Sequence, residues 1–116
     1  MQKAEWLSQV RKGILEYVIL IVMEERAIYG YDLLSKLNGY EVFATAEGTI
    51  YPLLRRMEKN GLIASLWQET SPGVPPRKYY SLTALGRQSL AMMHREFDDL
   101  IAARNLLCRQ REENRA

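Results

Sequence analysis

One cysteine and one histidine stand among the 116 residues. Cys108 has no second thiol with which to form an intramolecular disulfide, and no Cys/His cluster exists to hold zinc. Both absences fit a reducing cytoplasm and no structural metal. Long apolar runs are missing too. The longest, Val18 to Met23, falls far short of the ~20 residues that cross a bilayer. Met1 to Arg11 is too polar for a signal sequence. The expected protein is therefore cytoplasmic, with no membrane partner. Catalytic patterns are also lacking. There is no phosphate loop, nucleophile elbow, metal-ligand spacing or acid/base set, which argues against an enzyme and against a cofactor. Charge of one sign is scarce. Sixteen Lys and Arg against fourteen Asp and Glu leave only +2, which by itself does not announce a nucleic-acid binder.

The placement of charge says more than its sum. Between Ile50 and Tyr80 lie five basic residues (Arg55, Arg56, Lys59, Arg77, Lys78) and two acidic ones (Glu58, Glu69), a local balance of +3. The stretch Thr45 to Gly61 organises that charge. Ile50, Leu53, Leu54 and Met57 recur at helical spacing and form an apolar back. Pro52, Arg55, Arg56 and Lys59 repeat the spacing on the front, and Tyr51 flanks them. Asn60-Gly61 supplies residues that tolerate a left-handed helix stop. Such a helix suits a DNA major groove: the back anchors it, and Arg and Lys reach phosphates or guanine edges. The bland alternative is a surface helix with a solvated basic face. Pro52 is comfortable only near a helix start. Thr49 as N-cap puts it in the first turn, Thr45 puts it deeper, and the sequence leaves both open.

The remaining elements follow in order. A first helix is expected from about Val10 to Glu25, apolar on more than one face and so deeply buried, after a lead-in over Met1 to Ser8. Arg26 to Ile28 reads as a connection, Asp32 to Leu37 as a second helix opened by Tyr29-Gly30-Tyr31, and Tyr40 to Phe43 as a loop or short extended stretch. Leu62 to Gln68 and Arg77 to Leu82 read as two strands joined by a proline-stiffened tip. Adjacent Tyr79 and Tyr80 must face opposite sides, one of them the core. Thr83 is a plausible N-cap for a last helix from Ala84 to about Arg111, with a charged tail, Arg109 to Ala116, that frays. Leu90, Met93, Phe97, Leu100 and Leu107, interrupted by Arg104, keep a 3.5-residue repeat, the seam of a helix pairing. A helix of ~28 residues is ~42 Å long, more than so small a domain covers, so its far half should pack on a second chain.

Three helices, a hairpin and a long helix make the fold mainly α with a small β-hairpin: a winged helix-turn-helix over residues 1–82, then a dimerisation helix and tail over residues 83–116. The basic groups fall where that arrangement meets DNA, Arg55, Arg56 and Lys59 on the third helix and Arg77 and Lys78 on the wing. Tyr29-Gly30-Tyr31-Asp32-Leu33, then Gly48-Thr49-Ile50-Tyr51-Pro52-Leu53-Leu54-Arg55-Arg56-Met57-Glu58-Lys59-Asn60-Gly61-Leu62-Ile63, then Arg77-Lys78-Tyr79-Tyr80-Ser81-Leu82-Thr83-Ala84-Leu85-Gly86, closely resemble the PadR-like transcriptional regulators, in the short subfamily with one C-terminal helix. The resemblance runs from about Val10 to Phe97. It implies a homodimer formed through the last helix and repression of a promoter, often relieved by a small aromatic or apolar effector.

Thr49, Tyr51, Arg55, Arg56, Lys59, Arg77 and Lys78 are then the candidate DNA contacts. The bland alternative for Tyr51 is a half-buried residue with its hydroxyl bonded internally. Glu47, near the start of the same helix, either reads a cytosine amino group or repels phosphate. Leu90, Met93, Phe97, Leu100 and Leu107 are the candidate dimer seam. Phe97 with its mate, joined by Trp6, Met92 and Met93, is the candidate lining of an effector pocket, against a packed seam with no pocket. His94 is alone in sequence, and Cys108 lacks a neighbouring base or thiol. Two other functions remain to be weighed: a winged-helix protein–protein module without DNA binding, and a small-molecule binding dimer with no promoter role.

Overall fold

The chain opens directly in a helix. In the computed structural model, which describes residues 1–115, α1 covers Lys3–Val22. The expected lead-in, Met1 to Ser8, is thus mostly helical. The first half of α1 is tied to the chain around residue 41: the Arg11 guanidinium donates to the carbonyls of Val42 at 2.9 Å and Glu41 at 3.1 Å, and Lys3 pairs with Glu41 at 3.1 Å. Helix α1 ends at Val22 and not at Glu25, because the chain must turn to place Ile28–Tyr29 as strand β1. That strand is a correction to the expected connection. It pairs antiparallel with the returning wing strand, Ile28 opposite Tyr80 and Tyr29 opposite Tyr79. Two residues carry too little alternation to announce a strand.

Helix α2 is Gly30–Leu37, and the segment expected as loop is a 3₁₀ turn, Glu41–Phe43. Asn38 closes the α2–α3 turn, its side-chain oxygen accepting from the Thr45 N–H at 2.8 Å. Helix α3 is Glu47–Lys59, with Ala46 as N-cap. Neither Thr45 nor Thr49 caps it. Pro52 sits inside the helix. The carbonyl deprived of a donor there belongs to Gly48, which is exposed and so open to solvent. At the other end, the Leu62 N–H reaches the Met57 carbonyl at 3.0 Å and the Gly61 N–H reaches Glu58 at 3.0 Å, with Gly61 at φ +80°. These paired bonds are the left-handed stop that Asn60-Gly61 announced.

Strands β2 (Ile63–Gln68) and β3 (Arg77–Leu82) match expectation, and the sheet order is β1-β3-β2. The hairpin therefore supplies one edge, β2, and the centre, β3, of a three-stranded sheet whose other edge is β1. Helix α4 runs Ala84–Arg115, so the charged tail expected to fray is helical as far as Arg115; Ala116 lies outside the described residues. Thr83 caps it as expected, accepting from the Gly86 N–H at 3.0 Å.

The core joins all these pieces. Ile19, Leu20, Met23, Leu33, Leu37, Ile50, Leu54, Met57 and Ile63 are among the best-buried members. Tyr80 is the inward member of the tyrosine pair. Leu90 is also in this core, 2% exposed. That corrects its assignment to a dimer seam or ligand pocket, since a second chain has no access to it. The 3.5-residue repeat begins as an intrachain contact, and the core runs across residue 82. Only further along, at Leu100 and Leu107 (59% and 68% exposed), does the repeat leave the body.

Candidate nucleic-acid interface

Helix α3 buries Ile50, Leu53, Leu54 and Met57 and leaves Thr49, Arg55, Arg56 and Lys59 on the surface. The apolar back thus fixes which way the cations point. They do not form one uniform patch. Arg56 leans towards α1, its Nη2 3.1 Å from Glu16 Oε1. That pair is exposed, so it contributes only a few tenths of a kcal/mol, about 0.5, and opens readily to a competing anion. Arg55 lies on the other flank, close enough to Tyr80 that its charge favours the phenolate there; burial and the Glu58 carboxylate outweigh it and hold the Tyr80 pKa above its usual value. Arg55 and Lys59 have no carboxylate partner among the described residues. They are the cations most ready for phosphate.

Tyr51 has a double position. It is half-buried, and its ring stands where Gly30 lacks a Cβ: a methyl group there would sit 3.3 Å from the Tyr51 ring and 3.3 Å from that of Tyr80. The ring therefore braces α2 against α3. Burial first, then the Glu47 carboxylate, raises its pKa, so the phenol keeps its proton and remains a donor. Its hydroxyl makes no hydrogen bond to the protein among the described residues.

The two wing cations part company. Successive strand residues face opposite sides. Arg77 lies over the Tyr29 ring, 4.8 Å to its centroid, in a cluster with Tyr31 and Tyr79. Lys78 turns towards α3, 3.9 Å from Glu58 and 5.8 Å from the Trp67 ring. The sequence placed both residues at the base of the wing tip but could not separate them. Trp67, 64% exposed, did not stand out in the sequence; only the sheet shows which way it points.

Outside this face, His94 is not alone. Its Nδ1 lies 2.7 Å from the Tyr17 hydroxyl and its Nε2 3.8 Å from Glu24. Tyr17 is 77 residues away in the chain, beyond any spacing argument. Phe97 packs on the same Tyr17 ring at 5.3 Å, and Met93 is half-buried against the core. Trp6 lies eleven residues before Tyr17 on α1, about 16 Å along the axis, so one chain does not bring it to Phe97. Among the described residues no group of His, Cys, Asp or Glu is placed to hold a metal, and no helix is long and apolar enough to cross a membrane.

A basic helix front beside a basic wing is the geometry of a winged-helix DNA reader. Residues 19–92 match the model of the transcriptional regulator PadR-like family. The chain belongs to that family. A PadR-like transcriptional regulator from Bacillus cereus is 37% identical, with 85% of this chain and 95% of that one covered and a TM-score of 0.75. A PadR family regulator from Eggerthella lenta is 32% identical over 89% and 88%, at TM-score 0.78. An uncharacterised protein of Lysinibacillus sphaericus is 30% identical over 95 residues, 80% of this chain and 86% of its own. The PadR-like proteins are DNA-binding transcriptional regulators and not enzymes. DNA is accordingly a partner of this chain.

Proposed function

We propose that this PadR-like regulator is a repressor that binds a palindromic operator as a homodimer and is released by a small apolar or aromatic effector. The observation that carries the dimer is the far half of α4. The helix has 32 residues, about 48 Å. Beyond Phe97 it leaves Leu100, Ile101, Leu106 and Leu107 largely exposed, too much apolar surface on one helix to remain in water. Pairing of this segment with its copy would set two α3 helices on one face, and a two-fold protein calls for a two-fold operator, its half-sites about 34 Å apart. Phe97 and Met93, half-buried where α4 leaves α1, border the space such a pair would enclose and are the residues to which an apolar effector would bind.

Replacing both Leu100 and Leu107 by Asp places like charges in that pairing while leaving the intrachain core intact, since neither side chain belongs to it. The expected result is a monomer in sedimentation at micromolar concentration, with helical content retained. A dimer of unchanged stability would put the interface elsewhere. The repressor itself is tested by fluorescence anisotropy on duplexes from the DNA upstream of its own gene, with a scrambled duplex as control. Specific binding of two chains per site, with affinity falling steeply as salt rises, is expected. Equal weak binding to both duplexes would exclude an operator in that region and turn the search to a protein partner.

A further inference from the structure

Trp67 is a large apolar side chain with no packing task. On β2 it shares a face with Ile63, which is buried, and Ser65, whose hydroxyl donates to Glu58 of α3 at 2.5 Å. That face therefore looks towards the recognition helix. Opposite it on β3, Tyr80 pairs with Ser65 and Lys78 pairs with Trp67. Where the core ends, the face continues outward as Trp67 alone, 64% exposed. The described contact to its ring is cationic, Lys78 Nζ at 5.8 Å from the centroid. Arg55, three residues before Glu58 and so on the same flank of α3, adds a second cation. Glu58 is the only acid among these side chains, and Lys78 and Ser65 already engage it.

The patch thus offers a flat apolar ring, an indole N–H donor and two cations at the junction of recognition helix and wing. We infer that Trp67 is a DNA-backbone contact, its ring packed on deoxyribose of the strand that separates the groove entered by α3 from the groove beside the wing. The nucleic-acid backbone alternates an apolar sugar with an anion, which suits a ring with a cation 5.8 Å from its centroid. Lys78 would exchange Glu58 for a phosphate as DNA docks, and the indole N–H would face a neighbouring phosphate oxygen. The inference rests on the DNA-binding assignment of α3 and the wing, and goes beyond it by giving a neutral residue part of the affinity.

The test uses a duplex selected by the wild-type protein from a randomised pool. Trp67→Ala should weaken binding about tenfold, the effect of removing one well-packed apolar contact. It should leave the slope of affinity against salt unchanged, because a neutral ring displaces no counterion. Lys78→Ala should instead flatten that slope by about 0.9. Trp67→Phe should recover most of the loss. In a Trp6→Phe background Trp67 is the only tryptophan, and its emission should be quenched as the duplex saturates. Wild-type affinity in Trp67→Ala, or unchanged Trp67 emission at saturation, would overturn the inference while leaving DNA binding intact. If Trp67→Ala fails to fold, the emission titration still decides. A wild-type protein that selects no duplex at all would overturn both assignments.

Discussion

Arg55→Ala combined with Lys59→Ala is expected to weaken operator binding about a hundredfold at moderate salt, two charged contacts being lost at roughly 1.5 kcal/mol each. The two residues are chosen because nothing in the protein competes for them: Arg56 is held by Glu16 and Lys78 by Glu58, whereas Arg55 and Lys59 have no acidic partner among the described residues. The loss should shrink as salt rises. If both contact phosphates, the slope of log affinity against log salt falls by about 1.8 in the double variant. A loss of similar size with an unchanged slope, confined to certain base pairs, would make them base readers. Neither side chain enters the core, so thermal stability should stay as it was. Wild-type affinity in the double variant would remove α3 from the interface altogether.

Gly86→Ala is expected to be the most damaging single methyl group in the chain. The added Cβ would stand 2.0 Å from the Leu62 carbonyl oxygen and 3.1 Å from its carbon, both backbone atoms. Neither can rotate away. The closeness comes from the junction of α3, β2 and α4. Thr83 donates through its hydroxyl to the Gly61 carbonyl at 2.5 Å, and its N–H reaches Leu62 at 3.2 Å, pinning the first turn of α4 to the left-handed turn at Gly61. Relief requires α4 to lift away, which also withdraws Leu90 from the core. A cost of about 3 kcal/mol follows from overpacking of this kind. For a domain of this size that lowers the melting temperature by about 10 °C. Gly13→Ala is the control. Gly13 lies mid-helix in α1 with nothing within 4 Å of the new methyl, so it should gain about 0.5 kcal/mol through the unfolded state. Equal stability of the two variants would mean the α4 junction is looser than the close approach at Gly86 implies.

Both experiments act on features with different origins. The α3 cations were legible in the sequence because a 3.6-residue repeat of Ile50, Leu53, Leu54 and Met57 fixes the opposite face without further information. The same holds for the helix stop at Asn60-Gly61, the Thr83 cap and the two wing strands, each carried by a few adjacent residues of special conformational preference. The start of α3 was not legible. Neither threonine won: the Thr45 N–H donates to the Asn38 side-chain oxygen where the chain turns, and that bond depends on where α2 ends in space. The two-residue strand β1 was equally invisible, since what makes Ile28 and Tyr29 a strand is an edge of β3 some 50 residues later.

The α4 repeat shows most plainly where local pattern ends. The sequence alone determined that Leu90, Met93, Phe97, Leu100 and Leu107 share one stripe of a long helix. Periodicity says which residues face together but not what they face. Tertiary structure decided that Leu90 closes the chain's own core, that Phe97 meets Tyr17, and that Leu100 and Leu107 are left for another surface. It likewise sent Arg77 to the Tyr29 ring and Lys78 with Trp67 towards α3. Sequence spacing fixes the relative direction of side chains within one element, because backbone geometry there is regular. Contacts between elements depend on loop paths and packing distances, which no spacing encodes.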